Sequence, residues 1–153
     1  MEKVFNIRVY GILINKQQEV LVTDEFRLGI PMTKFPGGGL QFGEGPVDCL
    51  IRECSEEMGQ EVSIQSHFYT TEHYHPTRLL PSNQQLISIY YKITIEEPYQ
   101  FKTTSQKFDF SVIKDGAQTF RWEQINKLDP GEFTFPIDQI VARKLKESVN
   151  AGY

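Results

Sequence analysis

Cysteine is scarce in this chain: its 153 residues include two, Cys49 and Cys54. Five apart on one helical pattern, they point about 140° from each other, which excludes a mutual disulfide and a shared metal. No run of eighteen apolar residues occurs, so no segment reads as a membrane-crossing helix. Residues 1–5 lack the long apolar stretch of a signal peptide. Positive charge is not in excess either; the formal net charge is −4, which argues against electrostatic binding to a nucleic-acid backbone. There is no internal repeat, no low-complexity tract and no composition break to mark a second domain. These absences lead to the expectation of a cytoplasmic protein with one domain over residues 1–153, without nucleic-acid or membrane partners. With 39% hydrophobic and 24% charged residues it is ordinary globular material, long enough to bury about two thirds of its unfolded surface.

What is present concentrates in residues 38 to 60, G-G-L-Q-F-G-E-G-P-V-D-C-L-I-R-E-C-S-E-E-M-G-Q. Pro46 suits the first turn of a helix, where its missing N–H is one of the donors left unpaired anyway. At 100° per residue, Val47, Leu50, Ile51, Cys54 and Met58 predict an apolar stripe, with Glu53, Glu56 and Glu57 on another stripe about 120° away. Gly59 is the expected stop, since glycine enters the left-handed conformation at little cost. Three carboxylates at i, i+3 and i+4 repel one another, and nothing in helix stability rewards that arrangement. A cation must compensate. Arg52 can neutralise one of them, and oxygen-only ligands favour Mg²⁺ or Mn²⁺ over zinc. An isolated E-x-x-E-E reads as a solvated acidic face; the glycine-rich entry at residues 36–39, together with Glu44 and Arg52, turns the reading toward a site.

Gly38, Glu44, Arg52, Glu53, Glu56, Glu57 and Gly59 fit the spacing G-x5-E-x7-R-E-U-x-E-E-x-G-U, where U is a bulky apolar residue. At average residue usage this match arises by chance about once in a million such chains. The segment resembles the box of the Nudix hydrolases, the MutT-like family. The resemblance implies an α/β/α sandwich with a mixed β-sheet, and a loop-helix-loop that holds metal against a pyrophosphate. It implies Gly38, Glu53, Glu56 and Glu57 as metal ligands, with Glu44 at the edge of the cluster. Glu53, Glu56, Glu57 and Arg52 are then the catalytic set, Arg52 orienting a neighbouring carboxylate. The implied substrate is a small-molecule nucleoside diphosphate linked to another group, such as a nucleotide sugar or a nucleoside triphosphate. The implied cofactor is Mg²⁺, with Mn²⁺ as a substitute. Cys54 and Gln60 stand where relatives usually carry bulkier aliphatic residues, Val62 being placed to take the buried role from Gln60, and Gln41 stands where many relatives are acidic.

Outside this segment the expectations are coarser. Residues 4–14 predict a central strand covered on both faces, and residues 19–23 its hairpin partner. Strands are expected near 62–71, 86–95 and 117–122. The second of these should set Ile87, Ile89, Tyr91, Ile93 and Ile95 on one face against Ser88, Tyr90, Lys92 and Thr94. A last helix should start near Pro136 and bury Ile137, Ile140, Val141 and Leu145. Arg121-Trp122-Glu123 looks like the tryptophan-ended strand of many relatives. Asp115 is either a ligand or base, or half of an ordinary Asp-Gly turn. His73 and His75 would share one strand face, and Tyr74, Tyr90 and Phe68 are candidates for base stacking or for packing. The long connection at 96–114 reads as a substrate lid, a dimer contact or a mobile excursion, and a homodimer stays open. The alternative from another class is a nucleotide-sensing module that keeps the fold without the chemistry; the intact carboxylates favour catalysis.

Overall fold

The computed structural model describes residues 1–150, which form two compact units. Each unit is discontinuous in sequence: Met1–Leu13 with Pro36–Gln100, and Ile14–Phe35 with the stretch that begins at Phe101.

The first unit is built on a strand that runs out of solvent into the core. In β1 (Val4–Leu13), Val4 and Phe5 are exposed, while Val9, Ile12 and Leu13 are buried to within 1%. Their alternation on both faces is why the segment sits inside a sheet and not at its edge. The sheet order is β4-β1-β6-β5, with β4 at Gly37–Gly39, β5 at Ser63–Thr70 and β6 at Gln84–Thr94. β1 is parallel to β6 and antiparallel to β4, and β5 is antiparallel to β6, so the sheet is mixed as expected. Helix α1 (Pro46–Met58) packs on β1 and β4. Gly11 leaves room for Ile93 of β6: a Cβ there would stand 2.7 Å from Cδ1 of Ile93, while Cδ1 of Leu50 on α1 would be at an ordinary 3.5 Å.

Burial on β6 does not keep to one face. Leu86, Ser88 and Tyr90 are buried in the first half, where Tyr90 packs at 5.3 Å from Tyr10 and 6.3 Å from Tyr69, and burial passes to Ile93 and Ile95 in the second. An inner strand has two covered faces, so its apolar alternation does not say which is deeper. One expectation needs correction here: residues 19–23 are not the hairpin partner of β1. The turn at 15–18 forms, with Asn15 Oδ1 accepting from the Gln17 and Glu19 N–H groups at 3.0 Å each. β6 pairs with β1 along all its length and β4 with residues 8–10 on the other edge, while the segment after the turn meets the end of β1 through a single bridge, Ile14↔Val20.

The second unit receives that strand. β2 (Glu19–Arg27) lies between β3 (Ile30–Lys34) and β7 (Gln118–Gln124), all antiparallel. Two short 3-10 turns, Ile125–Lys127 and Pro130–Glu132, lead to α2 (Pro136–Asn150). Ile137, Val141 and Leu145 are buried on α2 as its pattern requires, with Ile140 half-buried and Arg143 and Lys144 exposed. Phe35 stacks on Phe133 with ring centroids 4.7 Å apart. No described helix is long and apolar enough to cross a membrane.

Candidate active site

The acidic segment is assembled from its ends inward. Asp48 accepts a hydrogen bond from the Gly45 N–H at 3.0 Å and Pro46 opens the helix, so the start of α1 has both of its common devices. At the other end Gly59 adopts φ 70°, its N–H bonded to Ser55 O at 2.9 Å. Between these ends the packed seam is Cys49, Leu50, Cys54 and Met58. This corrects the expected stripe: Val47 is 39% exposed and Ile51 half-buried, whereas Cys49 is fully buried. The helix is rolled toward Cys49, and residues 53 and 57, four and eight positions on, follow it to the flank of the packed face. Glu53 and Glu57 are therefore half-buried against β4, and Glu56 stays in solvent with 59% of its side chain exposed.

Arg52 gathers the cluster. Its Nε and Nη2 hold Glu44 in a fork at 3.0 and 2.7 Å. Its Nη1 donates to Glu53 at 2.9 Å and to Glu56 at 3.4 Å, and Nη2 also reaches Gly39 O at 3.1 Å. One cation thus meets three carboxylates and the loop backbone, more than the single neutralisation expected. Hydrogen bonds from Arg52, then from the Gln41 N–H, bring the Glu44 carboxyl down to about 2 from its ordinary 4.5. Those same bonds to Glu44 push the guanidinium further up, so it is a permanent charge.

Strand β4 is held residue by residue. The Gly37 N–H donates to Glu57 at 3.1 Å. Gly38 leaves room for the Glu53 carboxylate: a Cβ at residue 38 would stand 2.5 and 2.6 Å from its two oxygens. Cys49 Sγ donates to Gly39 O at 3.5 Å. Burial, and then the Glu44 charge, pushes this thiol up to about 12, and burial pushes the Cys54 thiol higher still. Both are free, buried thiols. The side-chain oxygens of the cluster are carboxylates, a set that suits a hard divalent cation and not a thiophilic one. Among the described residues no three His, Cys, Asp or Glu side chains stand as a ready metal cage; Arg52 and the Gly37 N–H hold those oxygens.

Other candidates fall outside this cluster. Asp115 is exposed and precedes Gly116 at φ 90°, with Ala117 N–H bonded to Lys114 O, which is turn geometry in the second unit. His73 and His75 do not share a strand face, because β5 ends at Thr70 and both lie in the following loop. Tyr90 is core, Tyr74 is 65% exposed, and Phe68 lies under Lys92 Nζ at 5.6 Å. The stretch from 101 to 110 is tied down in its unit: Phe101 packs on Phe120 and Trp122, Thr104 N–H pairs with Phe120 O, and Phe108 N–H donates to Asp24. Spacing within the box gave no signal for the grip of Glu57 on Gly37 or of Cys49 on Gly39.

The NUDIX domain family model matches residues 4–145. Among solved structures, a NUDIX hydrolase from Nitrosomonas europaea aligns with a TM-score of 0.67 at 15% identity, over 97% of this chain and 90% of its own. The MutT protein from Methanosarcina mazei Go1 gives 0.66 at 16% identity over 97% of each chain. A UDP-X diphosphatase gives 0.61 at 13% identity, over 99% of this chain and 64% of its own. No curated protein sequence matches. At such identities the solved structures establish the fold, while the family follows from the match that runs through both compact units and contains the whole acidic box. The chain belongs to the Nudix family and is a Nudix-type pyrophosphohydrolase, acting on phosphoric anhydrides.

Proposed function

We propose that the chain hydrolyses the pyrophosphate linkage of a nucleoside diphosphate joined to another moiety, with Mg²⁺ or Mn²⁺ held by Glu53, Glu56, Glu57 and the Gly38 backbone. The observation that carries the reading is the fit at Gly38, where the absent Cβ makes the space that the Glu53 carboxylate fills. A divalent ion there supplies charge neutralisation at the phosphoryl oxygens and a more acidic water. Glu53 is positioned by Arg52 and is the candidate proton acceptor; Glu56, in solvent, is the carboxylate most accessible to an arriving cation. Arg52 acts by orientation: its fork on Glu44 and its bond to Gly39 O fix the loop relative to the helix. Residues 1–153 are read as one catalytic domain because the family match enters both units. The name of the UDP-X diphosphatase neighbour, a nucleoside diphosphate with a variable partner, supports the substrate class.

The test is a screen of nucleoside triphosphates, nucleotide sugars, dinucleoside polyphosphates and cytidine diphosphate alcohols, scored by product identity with Mg²⁺ and with Mn²⁺. Cleavage between the phosphorus atoms, lost in chelator and lost in Glu56→Gln and Glu57→Gln, is the expected result. Undiminished turnover in excess chelator would overturn it.

A further inference from the structure

Gln60 is the box position where this chain replaces a bulky apolar residue with an amide, and the amide has three backbone partners. Oε1 accepts from the Gln100 N–H at 2.6 Å, and Nε2 donates to Pro98 O at 3.3 Å and Glu96 O at 3.5 Å. These groups lie just past the end of a ladder. β5 and β6 pair from Ser63↔Thr94 inward, so an antiparallel continuation would bring residue 60 opposite residue 97. The backbone cannot continue as a strand there, because Gly59 has just turned it out of α1 at φ 70°. The Gln60 side chain makes the links that main-chain pairing would have made. The buried role has moved to Val62, 3% exposed.

We propose that Gln60 is a positioning residue for the reaction: by tying the exit of α1 to residues 96–100 it fixes the last turn of the helix, which carries Glu56 and Glu57. This rests on the metal-dependent reading above. Helix ends fray, and a glycine at the exit gives the last turn the greatest freedom to do so. On the helix side, Met58 is buried and Glu57 is bonded to the Gly37 N–H; on the exit side, the Gln60 amide closes the turn. Each of its bonds is exposed and individually weak, but they converge on one planar group and act together.

Two variants separate the bonds. Gln60→Met keeps the volume and an unbranched chain but neither donor nor acceptor; Gln60→Glu keeps the acceptor for Gln100. Three quantities are read: hydrogen exchange at the Gln100 amide, Mn²⁺ affinity by calorimetry without substrate, and kcat against KM at saturating Mn²⁺. Gln60→Met should speed Gln100 exchange and lower Mn²⁺ affinity and kcat about fivefold, the weight of one net hydrogen bond, with KM unchanged and the melting temperature lower by only a few degrees. Gln60→Glu should retain Gln100 protection and most of the affinity. Wild-type Mn²⁺ affinity and kcat in Gln60→Met would overturn the proposal, as would an equal loss in Gln60→Glu with Gln100 still protected. Absence of Mn²⁺ binding by the wild-type chain would overturn the metal-dependent reading and this proposal with it; binding that ignores residue 60 overturns this proposal alone.

Discussion

At the scale of single residues, two neighbouring glycines make opposite predictions. Gly38 has no left-handed requirement, so Gly38→Ala should fold; its methyl group, however, takes the space of the Glu53 carboxylate and must displace it. On the role proposed for Glu53, a displacement on the order of 1 Å costs about a hundredfold in rate, and kcat/KM should fall accordingly while the melting temperature stays close to wild type. At Gly37, φ is 147° and a Cβ would collide with the backbone of Val9 and Tyr10, so Gly37→Ala should cost stability first. Thermal melts and steady-state rates on the pair separate the two. Glu44 gives a pH prediction. Its folded pKa of about 2 lies below the ordinary 4.5 because Arg52 and the Gln41 N–H bond to the ionised form. Its contribution is therefore fully present above pH 4.5 and is lost as pH falls toward 2. Melting temperatures of wild type and Glu44→Gln should differ at neutral pH and converge toward pH 2; a constant difference would rule out this linkage.

At the scale of elements, the box was readable because its geometry is local: residues three and four apart on one helix meet whatever the rest of the chain does. The roll of α1 was not readable to within one residue, because it depends on packing against β1 and β4, where Cys49 meets Gly39 O ten positions back in sequence. The consequence is testable. Cys54 is fully buried, so Cys54→Leu should overpack the seam and destabilise by about 1–3 kcal/mol without changing metal dependence. Val47, which the stripe had placed inside, is 39% exposed, and Val47→Ser should stay within about 0.5 kcal/mol in a denaturant titration. A cost at 47 equal to that at 54 would restore the original phase. The strands show the same limit. β1, β5 and β6 were found from composition and alternation, but the partner of β2 was missed because pairing depends on which edges other strands have already taken.

At the scale of the whole molecule, the second unit buries a polar network that no local pattern announced. Asp24, 0% exposed, accepts from Arg121 Nε at 2.7 Å and Nη2 at 3.2 Å, from Thr33 Oγ1 at 2.8 Å and from the Phe108 N–H at 3.0 Å. Arg121 is 4% exposed and stands 97 positions away, with Glu123 as a further partner. Beside them Lys34 and Glu25 pair at 2.9 Å, both buried. An Asp and an Arg on two strands read as surface residues until the antiparallel register sets Asp24 against Thr119, two positions from Arg121 on the same strand. Asp24 joins β2, β3, β7 and the 101–110 stretch through one carboxylate, so its removal should be felt throughout the second unit. Asp24→Ala leaves the Arg121 guanidinium buried without its main counter-charge, a change that costs about 3–5 kcal/mol. Asp24→Asn keeps an acceptor of the same size and should cost less. Arg121→Met removes the stranded charge, so the double variant Asp24→Ala, Arg121→Met should be less destabilised than the sum of the singles. Denaturant titrations of the four proteins, with hydrogen exchange at Phe108 as the local reporter, decide the matter. Strict additivity would mean that Asp24 and Arg121 are not coupled, and unchanged exchange at Phe108 in Asp24→Ala would mean that the 101–110 stretch is held by its other contacts, the aromatic packing and the Thr104 bond to Phe120 O.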